Sequence, residues 1–110
     1  MSYDETLADR VRAVLARKRG ISEKKMFGGL AFLVKGHMAC GIIGDDLMVR
    51  VGPEAYGAAL TKAGARPMNF TGKAMKGLVY VGPRGYARAP SLKAWVEQGV
   101  SYARSLPPKT

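Results

Sequence analysis

Four kinds of side chain in this sequence could do chemistry: one histidine, one cysteine, a pair of adjacent aspartates, and a large excess of lysine and arginine. His37 and Cys40 are three residues apart. In an extended strand such positions face opposite sides, which argues against a Cys–His dyad. A zinc site would need two more good ligands, and no H-x-E, H-E-x-x-H or C-x-x-C spacing supplies them. His37 therefore reads as a turn or strand histidine without chemistry. Cys40 reads as a small buried apolar residue, with redox sensing reserved for an exposed thiol of lowered pKa. Asp45 and Asp46 follow a glycine, and turn formation explains them better than acid–base catalysis. Phe27-Gly28-Gly29, next to Lys24 and Lys25, could form a phosphate-binding nest. It lacks the G-x-x-x-x-G-K-[ST] pattern and leads into a strand, so a structural bulge is the favoured reading. A pocket near His37, Arg50 and Arg66 is the remaining enzyme or ligand-binding reading, resting only on residues able to hold an anion. No catalytic residue, metal site or cofactor is expected.

Eighteen Lys and Arg against eight Asp and Glu give a net charge of +10. Such a surface attracts polyanions, nucleic acid first among them. The candidate contacts are Arg17, Lys18, Arg19, Lys24, Lys25, Arg66, Lys73 and Lys76. Tyr80, Tyr86 and Tyr102 could add stacking surfaces. There is no RNP-like motif, zinc finger or clear helix-turn-helix. Spread along the chain, the charge fits a diffuse field as well as a groove, and net charge carries no specificity.

The elements that must position these residues follow from periodicity. Residues 2–19 read as a helix with Leu7, Val11, Val14 and Leu15 on one face, Ser2 and Glu5 as a capping box, and Gly20 as the stop. Strands are expected at Lys25–Phe27, Leu30–Val34, His37–Ile43 and Leu47–Val51, with turns at Lys35-Gly36 and Gly44-Asp45-Asp46. Pro53 opens a short helix over 53–63, closed by Gly64. A short strand at Met68–Phe70 and another at Leu78–Val81 come next. Gly82–Gly85 reads as a turn, and Ser91 caps a closing helix that runs to Leu106. Short connections imply antiparallel neighbours. The expected fold class is α+β: one antiparallel sheet with N-terminal, central and C-terminal helices on one face.

The chain of 110 residues is the size of a single domain over 1–110, with 47% hydrophobic residues. It opens with a polar, acidic segment in place of a signal peptide. Its longest apolar run, Leu30–Val34, is too short to span a bilayer. One cysteine excludes an internal disulfide. A cytoplasmic location without membrane contact is the expectation.

Several blocks resemble the TfoX N-terminal domain family. These are Lys25-Met26-Phe27-Gly28-Gly29, the segment Gly36–Gly41, the segment Leu47–Gly52, the segment Pro67–Gly77, Trp95-Val96, and Ala103–Pro107. They run in order along nearly the whole chain. The resemblance implies an α+β domain similar to secretion-chaperone-like folds. The family's best-known members are bacterial competence regulators, in which this domain is joined to a helical C-terminal one. They act as transcriptional coactivators with the cAMP receptor protein. The resemblance thus implies a non-enzymatic regulatory or interaction domain with protein partners, the transcription machinery among them. The alternative from charge is direct nucleic-acid binding. A homodimer formed at a sheet edge fits either reading.

Overall fold

The computed structural model describes residues 3–26, 28–69 and 74–107. The chain begins with helix α1, Glu5–Leu15. Its N-cap is Asp4, whose Oδ1 accepts from the backbone N–H groups of Thr6 and Leu7 at 2.9 and 3.2 Å. These are two of the four donors that a helix start leaves free. Leu7, Ala8, Val11 and Leu15 are buried, the spacing of one helical face.

Four strands then form a meander: β1 (Ile21–Met26), β2 (Gly29–Val34), β3 (His37–Ile43) and β4 (Asp46–Arg50). Each connection is two residues long, so each strand pairs with its predecessor antiparallel. Helix α2 (Tyr56–Leu60) leads to strands β5 (Ala65–Asn69) and β6 (Ala74–Val81). Strand β6 docks against β4 and leaves β5 at the edge, giving the order β1-β2-β3-β4-β6-β5. Two helices close the chain, α3 (Pro83–Tyr86) and α4 (Ala89–Ser105).

The inward positions of the strands include Phe32, Val34, Cys40, Ile42, Leu47, Val49, Val79 and Val81. They form one core with side chains from all four helices, Trp95 and Val96 of α4 among them. Burying each large apolar side chain contributes roughly 1.5–3 kcal/mol. Helix α4 lies across β2, β3 and β4, and α1 packs beside it.

The alternation in β3 is interrupted once. Leu33 pairs with Met38, but Phe32 pairs with Cys40, leaving Ala39 as an extra residue. This bulge turns Ala39 and Cys40 to the same side, and both are fully buried in the core. On the opposite face, register aligns Lys24, Ala31, Gly41, Met48, Tyr80 and Arg66 in one row across all six strands. Among the described residues no helix covers that face. Met48 and Ala31 are buried there, while Leu33, Met38, Leu78 and Tyr80 stay partly exposed.

The expected fold class is observed, and several boundaries move. Helix α1 is shorter than 2–19 because Asp4, two residues after Ser2, provides the cap and the helix ends before Arg17. Strand β1 starts at Ile21, four residues before the expected start, because pairing with β2 extends to Val34. Gly28, at φ 75°, lies in the connection between β1 and β2, whose register runs unbroken to Met26–Gly29, so the expected bulge is absent from the described residues; Phe27 lies outside them. Residues 53–55 are a turn before α2, so Pro53 does not open the helix. The expected turn at Gly82–Gly85 is the start of α3, with Pro83 at its first position. Helix α4 begins at Ala89, with Arg88 in place of Ser91 as its N-cap.

Candidate functional site

The antiparallel order gives the molecule two chemically different ends. At one end, Asp4 donates its backbone N–H to Gly44 O at 2.7 Å, placing the start of α1 beside the β3–β4 turn. Asp4, Glu5, Asp45 and Asp46 therefore gather there. Asp46 is gripped by Arg66, whose Nη1 and Nη2 donate to Oδ1 and Oδ2 at 3.0 and 2.6 Å. This fork raises the Arg66 pKa, and the guanidinium also lies 5.0 Å from the centroid of the Tyr80 ring. Tyr86 donates its hydroxyl proton to Asp45 O at 2.6 Å. Its phenol is pushed above its ordinary value, mainly by burial and then by Asp4, Asp45 and Asp46. Arg10 donates to the carbonyls of Tyr86 and Ala87 at 3.1 and 3.0 Å.

At the other end α1 stops, and Arg17, Lys18 and Arg19 form the turn into β1. Ile21, the first residue of β1, pairs with Val34, so this turn lies beside Lys35-Gly36. Helix α4 finishes at the same end. Arg104 Nη2 donates to Arg19 O at 2.8 Å, and Pro107 O accepts from His37 Nε2 at 2.5 Å. Arg50 closes β4 at this end, its guanidinium 5.8 Å from the centroid of the Tyr102 ring. Two carboxylates accompany these cations. Glu97 is paired with Lys18 at 3.5 Å, and Glu54 lies in the turn after β4, near Tyr102.

The sequence-derived contact set is thus divided. Arg17, Lys18 and Arg19 remain together. Lys24 and Lys25 are exposed on edge strand β1, on opposite faces of the sheet and towards the acidic end. Arg66 is bound to Asp46 and belongs to that end. Lys73 and the side chain of Lys76 lie outside the described residues. Lys35 and Arg104 belong with Arg17–Arg19, but sequence reasoning passed over them. Their nearness depends on strand register and on the return of α4.

The residues of the least favoured alternative, a pocket near His37, Arg50 and Arg66, are not brought together. Arg66 reaches Asp46, four residues along β4 from Arg50, or about 13 Å of extended strand. His37 instead holds the chain after α4. The carbonyl of Pro107 can only accept, so His37 carries its proton on Nε2, and Nδ1 is buried without a partner among the described residues. Cys40 is fully buried, and burial pushes its thiol up to about 12, far from the thiolate character of a redox sensor. Among the described residues no group of three His, Cys, Asp or Glu side chains is placed to hold a metal. No described helix is long and apolar enough to cross a membrane.

No curated protein matches this chain. The TfoX N-terminal domain matches it over residues 13–103, from within α1 to near the end of α4. That span contains the complete sheet, its bulge, the last turn of α1 and most of α4, and the chain belongs to the TfoX N-terminal domain family.

Proposed function

We propose that this chain is a non-enzymatic regulatory domain that works by docking a protein partner on the uncovered face of its sheet, with the transcription machinery as the partner class. The observation that carries the reading is the asymmetry of the sheet. One face is packed under four helices, while the other displays partly exposed Leu33, Met38, Leu78 and Tyr80 around buried Met48. Apolar surface grouped on one face is the usual material of a protein interface. Membership of a family whose best-known members are competence coactivators supports the same reading.

The test compares the wild-type chain with Met38→Glu and Leu78→Glu variants as bait in a lysate of the source organism. Both side chains point away from the core, so the variants should keep the wild-type melting temperature. The expected result is a transcription protein retained by the wild type and lost by both variants. Retention by all three, or no reproducible partner, would sink the proposal.

A further inference from the structure

We infer that the end of the molecule where α1 stops is a docking surface for the phosphate backbone of duplex nucleic acid, formed by Arg17, Lys18, Arg19, Lys35 and Arg104. Three segments distant in sequence supply these side chains. The turn after α1 gives the first three, the β2–β3 turn gives Lys35, and the last turn of α4 gives Arg104. The Arg104–Arg19 hydrogen bond at 2.8 Å and the Ile21–Val34 pairing fix the segments against one another. Such a surface is held in shape before any ligand arrives, which lowers the entropy lost on binding.

Three observations separate this end from a uniformly basic surface. First, carboxylates concentrate elsewhere. Asp4, Glu5, Asp45 and Asp46 sit at the opposite end, Asp9 and Glu23 are both bound by Arg12, and only Glu97, paired with Lys18, and Glu54, in the turn after β4, lie at this end among the described residues. Among the described residues, Arg17, Arg19 and Lys35 are exposed and have no carboxylate within 4.0 Å.

Second, Lys35 is the one described non-glycine residue with positive φ, at 53°, followed by Gly36 at 85°. A two-residue turn with both φ positive favours Asn-Gly or Asp-Gly. A lysine carries strain there that asparagine would relieve, and strain of this kind concentrates where a side chain is needed for function.

Third, the exposed residues between the cations are, among the described residues, Ala16, Gly20, Gly36, Ser105 and Pro107. They are small enough for a stiff rod to approach and offer no aromatic or aliphatic wedge for a bilayer. Arginine also matches phosphate geometry through its planar fork.

The experiment uses the full chain and a fluorescein-labelled 20-bp DNA duplex, with anisotropy read between 50 and 300 mM salt. Contacts to about four phosphates predict a slope of roughly −4 in log K against log salt. The Arg17→Ala/Arg19→Ala double variant should lower that slope by about two units and weaken binding at least tenfold at 50 mM salt. The Lys24→Ala/Lys25→Ala double variant removes the same charge from the edge strand and should bind within threefold of wild type. Lys35→Asn separates function from folding: it should melt higher than wild type yet bind several-fold more weakly. The proposal is overturned if the two double variants lose affinity equally, if no duplex binding occurs at 50 mM salt, or if phosphatidylserine vesicles or polyglutamate compete as well as unlabelled duplex at equal charge.

Discussion

A methyl group added to Gly99 would fall on the carbonyl oxygen of Ala39, the extra residue of the β3 bulge. Helix α4 can approach the sheet so closely only because this residue lacks a Cβ. Alanine is about 1 kcal/mol better than glycine inside a helix. Here the collision is with backbone and outweighs that gain. Gly99→Ala should destabilise by about 2–3 kcal/mol, the cost of overpacking a core. Urea unfolding of the two proteins measures it, and an unchanged midpoint would show that α4 does not lie this close to β3.

Cys40 should resist thiol reagents in the native state and react at its unfolding rate, because it is fully buried with its pKa raised to about 12. The thiol titrates near 8.5 in an unfolded chain. The folded value lies above the unfolded one, so this group's contribution is complete below about pH 8.5 and fades as pH rises towards the folded value. Relative to Cys40→Ala, the wild type should therefore lose ground between pH 8 and pH 10. Rapid labelling at pH 7 without unfolding would refute the buried placement.

Tyr86→Phe removes the hydrogen bond to Asp45 O while keeping the ring. The loss should be about 1 kcal/mol, the usual worth of one such bond. Burial raises the phenol pKa, so the wild type's stability falls as pH climbs above the ordinary tyrosine value, and the variant should not share that fall. Thermal melts at pH 7 and pH 10.5 compare the two.

Arg12 donates to Glu23 through Nε and Nη2 at 2.8 and 2.9 Å and to Asp9 through Nη1 at 2.9 Å, joining α1 to edge strand β1. Its fork holds the Glu23 carboxyl below its ordinary value. The pair is substantially exposed, so Glu23→Gln should cost only about 0.5 kcal/mol at low salt. With a depressed folded pKa, this contribution is present above the ordinary carboxylate range and lost as pH falls through the folded value. The wild type and variant should converge in acid and in high salt. A gap that persists in high salt would show that the effect is not electrostatic.

The local elements were legible where glycine marked their limits. Strand β3 is bounded by Lys35-Gly36 and Gly44, and its extent was readable to the residue. Helix α1 was readable in its buried face but not in its cap, because Ser2 and Asp4 both have side chains that accept from a free helix start. Strand β6 was read only from Leu78, because Gly77 interrupts the pattern and pairing with its neighbours extends the strand back to Ala74. The basic end was half legible. Arg17–Arg19 stand together in sequence, whereas Lys35 and Arg104 join them through a register and a helix return that no local pattern encodes. Arg66 was misplaced for the same reason, since its partner Asp46 lies twenty residues away on a strand that is not its neighbour.

The bulge also sets how β3 can change length. Dropping one residue from most of this strand would exchange inward and outward side chains on one side of the gap. Dropping Ala39 would not, because Leu33–Met38 and Phe32–Cys40 would become consecutive pairs of a regular ladder. Position 39 is therefore where an insertion or deletion can pass without shuffling the core, and relatives that differ by one residue in this strand should differ there, with the residue matching Gly99 freed to carry a side chain.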